Sequence, residues 1–187
     1  MKSCTETETI FPDVQAASPV NRAALENNFD RLIAANGSAL ARLAASYTNS
    51  ATDRDDLVQE IALAVWQALP RFRGECSERT FLFRIAHNRA ISHLARTRSQ
   101  MPAYDDEIEV RDPAPDPESG LAREQSAARL QDAIHRLPLA YRQVITLTLE
   151  GLGYAEIAEV LGISESNVGA RLTRARQILR KSLEQTK

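Results

Sequence analysis

Apolar residues recur at helical spacing along most of the chain, with polar residues filling the opposite faces. The pattern begins near residue 21 and runs to about residue 36, where Asn36-Gly37 predicts a break. A second stripe follows through Leu40, Leu43 and Ala44, and the run TNSATDRDD then supplies turn residues and helix caps. Asp53 or Asp55 is positioned to cap a helix that continues to about residue 69 and ends at Pro70. On that helix Leu57, Ile61, Val65 and Ala68 form the inward stripe, widened by Val58, Ala62 and Leu69. Asp56, Gln59, Glu60, Leu63 and Gln67 fall on the far side, with Trp66 at the boundary. After the loop RGECSE, a further helix is predicted over about 79–98, and periodicity returns at Leu121 almost to the end. The expectation is an all-α protein.

The intervals between these patterns divide the chain. Residues 1–20 carry little periodicity and read as a disordered lead. Residues 99–120 contain Pro102, Pro113, Pro115, Pro117 and a cluster of acids, the composition of a flexible linker rather than a core. The predicted organisation is therefore two small helical domains, 21–98 and 121–185, joined by an acidic tether. At 187 residues, each half has enough chain for a modest core.

Charge sharpens this picture. The formal net charge is −2, yet the signs are segregated. Between residues 71 and 98, Arg71, Arg73, Arg79, Arg84, Arg89, Arg96 and Arg98 face only Glu75 and Glu78. The linker is acidic, and the carboxyl end is basic again through Arg171, Arg174, Arg176, Arg180 and Lys181. Two basic regions separated by an acidic one give the electrostatic outline of a nucleic-acid binder. No apolar run approaches the roughly 18 residues of a membrane span, and MKSCTETETIF lacks the apolar core of a signal peptide, so no membrane insertion and a cytoplasmic location are expected. Cys4 and Cys76 offer neither a disulfide framework nor metal-ligand spacing.

The stretch YAEIAEVLGISESNVGARLTRARQILRK, residues 154–181, carries the sharpest local signal. Ile157, Ala158 and Leu161 give one short helix an apolar face, Gly162 suits a left-handed terminus, and Ile163 can plug the corner. Ser164 can cap a second helix on which Val168, Leu172, Ala175 and Leu179 make one buried stripe. Its outer face presents Ser166, Ala170, Thr173, Arg174 and Gln177, flanked by Asn167, Arg171 and Arg176, with no acid between residues 166 and 183. This is helix-turn-helix patterning with a recognition helix sized for the major groove. Arg171 and Arg174 are the candidates for base edges, and Arg176, Arg180 and Lys181 for phosphates. Gly169 in mid-helix reflects either close approach to DNA or tight packing.

In FLFRIAHNRAISHLAR, residues 81–96, the apolar arc holds Leu82, Phe83, Ala86, Ala90 and Leu94, and the opposite face gathers Phe81, Arg84, Ile85, Asn88, Arg89, Ser92 and Arg96. Aromatic rings beside arginines are what a single-stranded nucleic-acid platform requires, unless Phe81 simply joins the core. Enzyme chemistry finds no support. His87 and His93 lie about 120° apart on their helix, so they do not converge on a metal. No Gly-rich phosphate loop or nucleophile elbow is present, and no cofactor is expected.

In combination, DDLVQEIALAVWQALPRFRG, TFLFRIAHNRAISHLAR, the acidic Pro-rich linker and LPLAYRQVITLTLEGLGYAEIAEVLGISESNVGARLTRARQILR resemble a bacterial RNA polymerase sigma factor of the extracytoplasmic-function (ECF) group. The likeness spans about residues 25–183 in order and spacing. It implies a region 2-like domain over 21–98 and a region 4-like domain over 121–185. It further implies that Asp56, Gln59, Glu60 and Leu63 dock on core RNA polymerase. The loop from Gly74 to Arg79, with Phe81, Arg84, Asn88 and Ser92, would melt and capture the start-proximal promoter element. The carboxyl-terminal domain would read the upstream element as duplex, and an anti-sigma factor would be a regulatory partner. Two departures bear on this: Ile61 and Ala62 follow Gln59-Glu60 where the family often has an aromatic, and Phe81 stands where it often has tryptophan. A self-sufficient operator-binding regulator and a module devoted to an anti-sigma partner are the competing readings. A plain repressor has no need of the face around residues 56–67.

Overall fold

The computed structural model describes residues 19–100 and 129–184, all of whose regular structure is helical. Residues 1–18 of the expected lead (1–20), residues 101–120 of the expected linker (99–120) and residues 121–128 lie outside the described residues, while 19–20 belong to the first helix and 99–100 to the helix before the linker. Helix α1 spans Pro19–Ala45, α2 Ala51–Ala68, and a 3-10 turn Leu69–Arg71 follows directly. Helix α3 spans Glu78–Gln100, α4 includes residues 129–135, α5 spans Leu139–Leu149, α6 Tyr154–Leu161 and α7 Glu165–Glu184.

Helix α1 runs unbroken through Asn36-Gly37, against the predicted stop. The Asn36 side chain donates to Leu32 O at 2.9 Å, inside its own helix, instead of turning the chain. Leu32 before the glycine and Leu40 and Leu43 after it are all buried, and their packing outweighs the roughly 1 kcal/mol that a mid-helix glycine costs. The cap of α2 also differs from expectation. Ser50, not Asp53 or Asp55, accepts the Asp53 N–H at 3.0 Å, and Asp53 sits in the first turn, where its charge complements the helix dipole. On α2 Leu57, Ile61 and Val65 are buried as expected, with Ala64 in place of Ala68.

Helices α1, α2 and α3 pack on one another, as do α5, α6 and α7. The two groups also meet. Helix α3 lies against α6, and one contiguous buried cluster runs from Leu40, Leu57 and Phe83 to Leu147, Ile157 and Leu172. At a second meeting point the carbonyls at the end of α1 are met by the other half. His135 donates to Ala45 O at 2.6 Å, and Thr146 bonds the Ser46 hydroxyl at 3.3 Å. A smaller cluster of Leu32, Leu69 and Phe81 sits beneath the 3-10 turn.

Candidate nucleic-acid interface

The turn between α6 and α7 has the predicted chemistry. Gly162 adopts φ +65°, a left-handed value that side-chain-bearing residues rarely take, and Ile163 N donates to Ala158 O at 3.1 Å to close the helix end. Ser164 accepts the Asn167 N–H at 3.3 Å and so starts α7. Val168, Leu172, Ala175 and Leu179 are all buried, which fixes the roll of α7 and turns its other face outward. Ser166, Asn167, Ala170, Thr173, Arg174, Arg176, Gln177, Arg180 and Lys181 are exposed. Arg171 is half-buried and donates to Asn167 Oδ1 at 2.9 Å, so these two side chains form one unit rather than two independent contacts. A Cβ on Gly169 would lie 3.6 Å from the Tyr154 ring, an ordinary contact, so packing inside the molecule does not demand glycine there.

Helix α3 is more enclosed than its projection suggests. Phe81, expected on the outward face, is buried 4.5 Å from the Phe72 ring and packs with Leu32 and Leu69. The 3-10 turn and α1 cover this end of the helix, which the periodicity of α3 alone does not reveal. Phe81 is thus a wall, not a free platform. With Phe72, Arg71, Arg73, Glu75, Cys76 and Arg84 it lines a cleft of about 320 Å³ beside the Gly74 loop. Gly74 has φ +72°, which lets that loop turn. Burial first, and then the Glu159 carboxylate, push the Cys76 thiol above its ordinary pKa, so little reactive thiolate forms. Asn88 and Ser92 are exposed one turn apart, with Ser92 donating to Asn88 O at 2.9 Å.

The α3 arginines find partners that the local sequence does not supply. Arg96 meets Glu60 of α2 with both carboxylate oxygens at 2.6 Å, Arg84 meets Glu159 of α6 at 3.3 Å, and Arg79 donates to Glu150 O. The Arg79 guanidinium also lies 5.5 Å from the centre of the Phe83 ring. On the outer face of α2, Asp56, Gln59 and Leu63 are exposed, Leu63 by 58%. Glu60 shares that face but is held by Arg96 rather than free. Trp66 turns edge-on to Phe29 at 5.3 Å. Sequence patterning had passed over Ser77, Thr80, Glu150, Glu156 and Glu159, which join α3 to the carboxyl-terminal half. Their only early signal was Ser77 three residues before Thr80, a cap spacing that the structure realises with Thr80 N donating to Ser77 Oγ at 2.9 Å.

Comparison with known proteins decides the family. Residues 32–100 match the model of sigma-70 region 2, and residues 127–179 match that of sigma-70, region 4. Over 171 residues the chain is 36% identical to the RNA polymerase sigma factor CnrH of Cupriavidus metallidurans, covering 87% of each protein. The chain belongs to the sigma-70 family, in its ECF group. This sigma factor is also 33% identical over 150 residues to the ECF RNA polymerase sigma-E factor of Escherichia coli, covering 75% of this chain and 78% of that one. Its fold matches CnrH in the complex of CnrH with the cytosolic domain of CnrY. The TM-score is 0.66 at 31% identity, over 87% of this chain and 91% of that one. The sigma factor RpoE of Bartonella quintana shares the fold at the same TM-score and 20% identity, over 84% of this chain and 97% of that one. An ECF sigma factor binds core RNA polymerase and promoter DNA to begin transcription, and is an initiation factor rather than an enzyme. The region 2 match runs from Leu32 in α1 to the end of α3, and the region 4 match takes in α5, α6 and α7 as far as Leu179. Among the described residues no helix is long and apolar enough to cross a membrane, and no cluster of His, Cys, Asp and Glu could hold a metal ion.

Proposed function

We propose that this sigma factor docks on core RNA polymerase through Asp56, Gln59, Glu60 and Leu63 of α2 and holds its promoter at two points. The outer face of α7 reads the upstream element as duplex. Arg174 and the Asn167–Arg171 pair meet base edges, Ser166, Ala170, Thr173 and Gln177 complete the contact surface, and Arg176, Arg180 and Lys181 meet phosphates. The Gly74 loop, Arg79, Arg84, Asn88 and Ser92 receive the melted start-proximal strand, with Phe81 as an apolar wall of the cleft for an unstacked base. The functional domains correspond to 21–98 and 121–185, working in the cytoplasm beside the polymerase. CnrH has been solved with the cytosolic domain of CnrY, and the RpoE of Bartonella quintana with the anti-sigma factor NepR; an anti-sigma protein is the expected regulatory partner here.

The observation that carries this reading is the roll of α7. Its apolar stripe is wholly buried, and an acid-free face of small polar and basic residues is left to solvent. Reconstitution with bacterial core polymerase tests it. The holoenzyme should start transcription at defined sites on DNA from the source genome, where core enzyme alone does not. Arg174→Ala should weaken holoenzyme binding to such a promoter by about 1–3 kcal/mol, with discrimination lost at one base position. Unchanged affinity and unchanged base preference would remove Arg174 from the reading role.

A further inference from the structure

The cleft beside the Gly74 loop is built from one short stretch of chain. Arg71 closes the 3-10 turn, Phe72 is extended at φ −67° and ψ 118°, and Gly74, at φ +72°, bends the chain before α3 begins. Arg71, Phe72 and Arg73 line the cleft from one limb of this bend, Glu75 and Cys76 from the other, and Phe81 from α3. Phe72 is only half-buried, and Phe81 braces it with 4.5 Å between ring centres and 35° between planes. Arg84 is engaged by Glu159. Among the described residues, the side chains of Arg71, Arg73 and Glu75 make no ion pair.

Three kinds of contact that a nucleotide asks for therefore occur together. A braced aromatic ring with an open face takes a base by stacking. Two arginines without partners supply the fork of donors that matches a phosphate. A free carboxylate only accepts, so it favours a base edge that offers donors. Guanine presents its ring N1–H and its exocyclic amino group side by side, and a carboxylate can take both. Uracil and thymine set a single N–H between two carbonyls, which a carboxylate repels. Adenine and cytosine offer one amino group beside a ring acceptor. A volume of about 320 Å³ stands at the small end of ligand sites and suits one nucleotide rather than a run of them.

We infer that this cleft binds a free guanine nucleotide, stacked on Phe72, with its phosphate on Arg71 and Arg73 and its base edge on Glu75. Every one of these side chains comes from the chain itself, so the site needs neither polymerase nor promoter to exist. A guanine and its phosphate also occur within a DNA strand, and that chemistry is common to both sources. Where the cleft receives the unstacked base, as proposed above, a bound nucleotide keeps the strand out and lowers promoter opening. Guanine nucleotides then restrain initiation through the sigma factor. This last consequence rests on the capture reading, whereas the binding does not.

The test is equilibrium dialysis of the full chain with GMP, UMP and guanosine at a stated salt concentration, since phosphate contacts weaken as salt rises. GMP should bind at least about tenfold more tightly than UMP, whose carbonyls leave the Glu75 carboxylate without donors. Glu75→Gln should bring the two affinities together. Arg71→Ser with Arg73→Ser should weaken GMP at least about tenfold and leave guanosine little changed. These three side chains are exposed, so each variant should unfold at the wild-type temperature. Bound GMP should also shield Cys76, which lines the cleft, from alkylation read on its own peptide. A folded wild-type chain that does not bind GMP, binds GMP and UMP equally, or binds GMP with Cys76 unshielded would overturn the inference. So would a guanine-containing single-stranded oligonucleotide that shields Cys76 where GMP does not, because the cleft would then serve the strand alone. Promoter opening by holoenzyme, read as permanganate-reactive thymines without nucleoside triphosphates, reports separately on the capture reading. GMP should reduce opening with the wild-type chain and not with Glu75→Gln. Opening that bound GMP leaves unchanged would remove the capture role from the cleft, with the nucleotide site still standing.

Discussion

His87, which the sequence sets apart from any shared metal site with His93, is a core residue. The ring is buried with no partner on Nδ1 within the protein, and it lies edge-on to Tyr47 at 6.3 Å. Burial lowers its pKa to about 4, so the folded protein holds it neutral where the unfolded chain would protonate it. The contribution is intact above pH 6.5 and is lost as pH falls from there toward 4, by up to about 3 kcal/mol at roughly 1.4 kcal/mol per pH unit. Burial also lowers the pKa of His135, in the same direction. Urea midpoints should therefore drop between pH 7 and pH 4.5, and His87→Leu should flatten that slope. An unchanged slope in the variant would place the acid sensitivity elsewhere. Phe81 teaches the complementary lesson. Its helical angle points away from the α3 stripe, but Phe72, Leu32 and Leu69 arrive from other elements to bury it. Projection of one helix cannot reveal a neighbour brought by the fold.

At the scale of elements, the sequence was legible wherever one local rule governed. The α6–α7 turn combines a glycine, an apolar plug and a serine cap within three residues, Gly162 to Ser164, and each acts as its chemistry suggests. Gly162→Ala should cost about 1–2 kcal/mol through its left-handed backbone alone, since an added Cβ meets nothing within 4 Å. Thermal unfolding measures this, and an unchanged midpoint would contradict the account of the turn. Legibility failed where two rules competed. Asn36-Gly37 is a turn signal, yet buried leucines on both sides carry α1 through it. Ser50 and the acids after it all suit a cap, and the hydrogen bond goes to Ser50. Propensity gave the candidates, and packing chose among them.

For the whole molecule, the arginine-rich stretch posed the question that local sequence could not answer. Its counter-charges come from α2 and from the other half of the chain, at Glu60 and Glu159, and the Glu150 carbonyl accepts from Arg79. Sequence order and composition suggested two helical domains, 21–98 and 121–185; the family models match residues 32–100 and 127–179, and one contiguous buried cluster joins the two halves. Nothing in periodicity indicated that α3 would meet α6, because each helix shows only which of its faces is apolar and not what covers it. This arrangement leaves the outer faces of α2 and α7 accessible while occupying part of α3.

The proposed docking on core polymerase rests on the α2 face. The most direct test is binding of the full chain to bacterial core RNA polymerase at a stated salt concentration, wild type beside Glu60→Lys and Leu63→Asp. Losing the exposed Glu60–Arg96 pair should cost folding no more than about 1 kcal/mol. Tight wild-type binding, weakened at least about tenfold in both folded variants, a difference of about 1.4 kcal/mol, is the predicted result. A folded wild-type chain that does not bind core enzyme, or variants that bind as well as wild type, would contradict docking through this face.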